Sequence, residues 1–175
     1  PYLESMHRER MLAEVDAAHQ MGIEIFVIDT GWYTKTGDWQ VNLERFPAGL
    51  REVKARLDSY GMRLGLWFNP LAAALSSAVY REHPEYQMSW DGRTGDPWPV
   101  WETEESVQMC LASDFSAHVS AVMKRFRREL GVTYFKWDGI GQTGCNSPLH
   151  HHGGPDNPPG ERADCYAYQM GLHMI

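Results

Sequence analysis

Three short apolar runs, each closed by chemically loaded side chains, constrain what this chain can fold into more than any other feature. The first places Ile23, Ile25, Phe26, Val27 and Ile28 ahead of Asp29, Thr30, Gly31 and Trp32. The second, MRLGLWF over 62–68, stops at Asn69-Pro70, and the third, VTYFKW over 132–137, stops at Asp138. Runs this short and this rich in β-branched and aromatic residues suit strands buried on both faces. Stretches with helical spacing lie between them. Met11, Leu12, Val15 and Ala18 predict a helix over 5–21 that ends at Gly22. Leu50, Val53 and Leu57 predict one over 50–60, and Phe115, Val119, Val122, Phe126 and Leu130 predict one over 114–130. A further helix is expected over 72–82, and another from about residue 161. Residues 84–112 read as irregular with a short strand at 107–111, and 139–160 as a Gly/Pro-rich loop.

Alternating helices and strands imply parallel strands with right-handed crossovers. A doubly wound sheet and a (β/α)8 barrel both satisfy that pattern. The first strand leads into IDTGW, with neither a GxGxxG nor a GK[ST] fingerprint, which counts against a nucleotide-binding sheet. Asp29, Trp67, Lys136 and Asp138 instead gather at strand ends, as in barrel enzymes whose sites lie at the C-terminal face. A barrel needs eight strands and about 250 residues. Residues 1–175 are therefore expected to be about half of one α/β barrel domain, a partial (β/α)8 TIM barrel continuing beyond both ends.

Composition narrows the chemistry. A net charge of -7 argues against nucleic-acid partners. No apolar run approaches the roughly 20 residues of a membrane span, and the chain opens on Pro1 without a signal peptide. Cys110, Cys145 and Cys165 are odd in number and show no CxxC spacing, which argues against a disulfide framework or zinc site and leans toward a reducing, cytoplasmic setting. The run His150, His151, His152 reads as a solvated loop, because adjacent histidines do not readily face one ion and no partner sits at ligand spacing, so no metal is expected. Seven Trp and eight Tyr are many for this length. Core packing accounts for part of them, and sugar stacking is the alternative, since such rings combine an apolar body with a polar tip.

Side chains two apart on a strand share a face, so Lys136 and Asp138 should point together, the ammonium holding the carboxylate ionised. The plainer reading is a structural ion pair. Asp29 is either a turn residue or an acceptor for sugar hydroxyls. Trp67 is either barrel packing or the wall of a sugar pocket.

The motifs FVIDTGWY, GDWQVNLERFPAGL, GMRLGLWFNP, YREHPEY and YFKWDG, in this order, resemble melibiase-type α-galactosidases of glycoside hydrolase clan D, from about Met11 onward. The resemblance implies a (β/α)8 barrel, retaining hydrolysis of α-linked galactosides, no cofactor, and Asp138 as nucleophile. It implies that Lys136 and Asp29 contact sugar hydroxyls, that Trp67 forms part of the pocket wall and that Trp39 lies on a loop over the site. The acid/base is expected beyond Ile175, so the isolated fragment should be inactive. A homo-oligomer of the full-length protein stays open. Two positions depart from the family pattern: Thr30 and Asn69 stand where acidic residues are usual. Thr30 keeps open a related α-glycosidase or a galactosyl transferase, and a carbohydrate-binding barrel without catalysis is the reading from another class.

Overall fold

The structure, a computed structural model, describes residues 2, 5–100, 105–139 and 144–152. In chain order its elements are α1 (Arg8–Gln20), β1 (Ile25–Ile28), α2 (Arg51–Ser59), β2 (Arg63–Phe68), β3 (Ala72–Ala74), α3 (Ala78–Glu82), β4 (Ser89–Trp90), β5 (Arg93–Thr94), β6 (Trp98–Pro99), β7 (Glu105–Gln108), α4 (Phe115–Leu130) and β8 (Tyr134–Trp137). The helix expected from residue 161 lies outside the described residues.

The chain divides into two compact units. The first holds the chain up to Thr34, then Trp39–Phe68 and Lys124–Asp138. Its sheet is the parallel set β1-β2-β8, with β2 in the middle. Strands adjacent in this order, joined through helices, form the repeating unit of a (β/α)8 barrel, here in part. Gly65 sits on the middle strand because a Cβ there would lie 3.0 Å from the Val27 side chain and 3.2 Å from Tyr134. Leu64, Leu66 and Phe68 are fully buried. Phe68 meets Trp32, Trp39, Phe126 and Phe135 at ring separations of 4.9 to 6.0 Å. A buried side chain of this size contributes about 1.5–3 kcal/mol, so this aromatic cluster dominates the unit's core. Ion pairs join α1 to α2: Arg8 reaches Glu52, and Arg56 reaches Asp16, which also accepts from the Tyr60 hydroxyl at 3.0 Å.

The second unit holds Lys35–Asp38, Asn69–Met123 and the chain from Gly139. Residues 84–112, expected to be irregular, form a β4-β5 hairpin and two short strands, β6 and β7, which join β3 in the antiparallel order β3-β7-β6. The helix expected over 72–82 is overturned in its first half. Ala72, Ala73 and Ala74 pair with β7, and Gly37, at φ 94°, packs so close that a Cβ there would lie 2.9 Å from that of Ala73. The alanines serve that approach by being small. The helix begins only where caps for it exist: Ser77 Oγ accepts from Tyr80 N–H, and the Asp38 carboxylate accepts from the N–H groups of Ala78 and Val79 at 2.8 and 3.0 Å. No helix among the described residues is long and apolar enough to cross a membrane.

Candidate active site and a second side-chain cluster

The parallel register sets the site. Ile28 pairs with Leu66, and Trp67 pairs with Lys136. One residue past Ile28, Asp29 is therefore level with Trp67 and Lys136, and all three fall on one face by the strand's alternation. Lys136 Nζ donates to Asp29 Oδ2 at 2.7 Å, reaching past the middle strand. This bond to Asp29 is the main reason the Lys136 ammonium titrates above its ordinary value of 10.5, with the Asp138 charge adding to it. The expected coupling of Lys136 to Asp138 is thus a three-member arrangement in which Asp29 makes the direct contact.

Asp138 follows β8 directly. Its N–H donates to Phe68 O at 3.0 Å, continuing the ladder, and its Oδ2 accepts from Trp67 Nε1 at 3.1 Å. Trp67 is 1% exposed, so its ring is a buried support rather than an open wall, and its indole edge orients the carboxylate. Its own carbonyl accepts from Trp32 Nε1 at 3.0 Å. Sequence reasoning did not single out Trp32, although it sits in the same IDTGWY segment as Asp29.

Trp39 lies in a loop, as expected, but its ring is buried. It is fully buried, at φ 54°, with its ring 6.2 Å from Trp67 and 4.7 Å from Tyr33, and its carbonyl accepts from Arg125 at 2.9 Å. Packing explains the burial, because a large, mostly apolar indole gains by joining the aromatic cluster beside it. Thr30 is 1% exposed, and its hydroxyl is hydrogen-bonded to that of Tyr33 at 2.9 Å, while its N–H donates to Asp29 Oδ1. An acidic side chain at position 30 would put a second charge into that buried place. In the second unit, Asn69 Oδ1 accepts from Leu71 N–H, and Asn69 Nδ2 lies so near Gly139, at φ 66°, that a Cβ there would sit 2.5 Å away.

The absence of ligand partners expected around the histidine run does not hold. In the second unit, ligand atoms of Cys110, Cys145, His150 and His152 all lie within 4.8 Å of one another. Cys110 Sγ is 3.4 Å from His152 Nε2, and Cys145 Sγ is 3.1 Å from His150 Nδ1. The ligands are His150 and His152, two apart rather than adjacent, and Cys110 comes from a distant segment that spacing rules could not supply. A hydrogen bond from Cys110, with help from His150 and His152, holds the Cys145 thiol well below its usual range, while Cys110 is pushed up by the same bond and by burial.

Parallel strands that present a carboxylate, a lysine and a tryptophan at their C-terminal ends have the arrangement in which barrel enzymes place their sites. The chain belongs to the melibiase family, whose profile matches residues 4–175. It is 31% identical over 166 residues to the A type blood alpha-D-galactosamine galactosaminidase of Flavonifractor plautii, covering 89% of this chain and 15% of that protein. It is 28% identical to alpha-galactosidase 1 of Pediococcus pentosaceus, covering 92% of this chain and 22% of that one. In fold it is similar to the α-galactosidase of Thermus thermophilus bound to p-nitrophenyl α-D-galactopyranoside (TM-score 0.74, 21% identity, 99% of this chain, 33% of the other). It is likewise similar to the α-galactosidase AgaA of Geobacillus stearothermophilus bound to raffinose (TM-score 0.71, 22% identity, 97% of this chain, 23% of the other). The chain thus spans under a quarter of the curated relatives it matches.

Proposed function

We propose that this chain supplies the nucleophile-bearing part of a retaining glycoside hydrolase acting on terminal α-galactosides. The observation that carries the reading is the level row Asp29, Trp67, Lys136 with the Asp138 carboxylate held by Trp67 Nε1. Asp138 attacks the anomeric carbon and forms a glycosyl-enzyme, and a second carboxyl group protonates the leaving oxygen and then activates water. In a retaining site the two groups stand about 5–5.5 Å apart. The acid/base belongs to a later strand beyond residue 175, and the isolated fragment is inactive. Lys136 and Asp29, already paired, offer a donor and acceptors to sugar hydroxyls. No cofactor takes part.

The test is to treat the longer parent protein with a fluorinated α-galactosyl inactivator and map the labelled peptide. A label on Asp138 supports the reading, and a label on another carboxylate, or sugar binding without turnover, overturns it. A second reading, an α-galactosaminide as substrate, is favoured by Thr30 in place of an acid and by the relative that acts on A type blood galactosamine. Comparing kcat/KM for galactosides and galactosaminides with the same aglycone separates the two.

A further inference from the structure

We propose that Cys110, Cys145, His150 and His152 bind one zinc ion in a closed, tetrahedral structural site. Two thiolates and two imidazoles are a donor set that zinc favours, and four protein ligands leave no position for water or substrate. Ligand distances of about 2.3 Å for sulfur and 2.0–2.1 Å for nitrogen give tetrahedral edges of about 3.3–3.8 Å. The Sγ–N separations of 3.1 and 3.4 Å are close to that, and the full set lies within 4.8 Å, so the widest pair closes by only about 1 Å around an ion.

The surroundings prepare the ligands. His150 Nε2 faces the carbonyl of Glu85 at 2.8 Å. A carbonyl only accepts, so Nε2 carries the proton and the Nδ1 lone pair points at Cys145 Sγ. That carbonyl–histidine relay fixes tautomer and ring orientation, as outer partners of zinc ligands do. Backbone bonds hold two of the ligands in place: Cys110 N–H donates to Tyr86 O at 2.8 Å, and His150 N–H to Ser147 O at 3.2 Å. Cys110, Cys145 and His150 are 2%, 1% and 6% exposed. Three buried ligands and a half-buried fourth drawn together are costly unless something satisfies them jointly. A zinc ion does so, and it ties the turn after β7 to the segment that begins seven residues beyond Asp138 in the sequence. The role is mechanical and independent of which sugar the protein takes.

The experiment uses the full-length protein, untagged and purified under reducing conditions without chelating resin. Metal analysis should find one equivalent of zinc per chain, and exchange with Co2+ should give the absorption of a tetrahedral thiolate-ligated ion. Cys145→Ser and His152→Ala should each abolish stoichiometric zinc and lower the midpoint of thermal unfolding. His151→Ala is the control, since His151 reaches Asp114 instead, and it should keep the zinc. If Cys145→Ser does not fold, His152→Ala and the cobalt spectrum of the unaltered protein still decide. Protein that holds no zinc and takes none up overturns the proposal. So does a Cys110–Cys145 disulfide found by peptide mapping of unreduced protein, or equal loss of metal in the His151 and His152 variants.

Discussion

The two units of this molecule bring polar side chains together in opposite ways. In the first, a regular parallel sheet does it: register alone makes Asp29, Trp67 and Lys136 level, and buried aromatic rings support the row. In the second, strands of two to four residues and turns bring Cys110, Cys145, His150 and His152 together, with individual backbone bonds holding Cys110 and His150. Regular structure spreads its precision over many equivalent contacts. Irregular structure concentrates it in a few bonds, and a cross-link among the side chains then has more to contribute.

The contrast can be broken most sharply at Asp138. In the parent protein, Asp138→Asn should lower kcat by at least about 10⁴-fold, the scale of losing a nucleophile, while leaving the thermal midpoint unchanged. An active variant would remove the first unit's claim to the chemistry. Next is Trp32→Ala, which should cost about 3–5 kcal/mol in denaturant unfolding and also slow turnover, because Trp32 Nε1 holds the carbonyl of Trp67. Lys136→Met should lower kcat/KM by about 10–100-fold, the worth of hydrogen bonds from a charged group. The folded-state pKa of Lys136 is raised, so the stabilisation from its pair with Asp29 is complete below the unfolded value of 10.5 and is lost only as pH rises above it. Both side chains are over a third exposed, so that contribution is small. Unfolding curves of the wild type and Lys136→Met should differ by a constant amount through neutral pH and converge above about pH 10.5. The smallest effects compare glycines. Gly37→Ala in the second unit, strained in φ and jammed against Ala73, should cost about 2 kcal/mol. Gly61→Ala in the first unit, equally left-handed at φ 67° but with open space around it, should cost about 1 kcal/mol.

The same contrast governs what the sequence made readable. The strands before Asp29 and Asp138 follow from short apolar runs rich in β-branched and aromatic residues, and the helices α1, α2 and α4 with their glycine stops follow from periodicity, because each helix is long enough to show its repeat. The Ala-rich stretch at 72–74 looks helical by propensity and is a strand, because Gly37 and β7 fix it from outside. Lys136 and Asp29 were legible as residues of interest, but their pairing past β2 was not, since only the register reveals it. The burial of the Trp39 ring was not legible, because the Gly37-Asp38-Trp39 loop motif gives no sign of the aromatic cluster that packs around it. The Cys and His cluster was invisible for a simpler reason: Cys110 lies far up the chain from the other three ligands.

Trp67 carries a consequence of its own. Its carbonyl is engaged by Trp32 and its indole nitrogen by Asp138. The residue therefore links the packed interior, through its backbone, to the Asp138 carboxylate, through its side chain. A substitution that loosens the packing around Trp32 should therefore also shift the Asp138 carboxylate, although it touches neither that residue nor its strand.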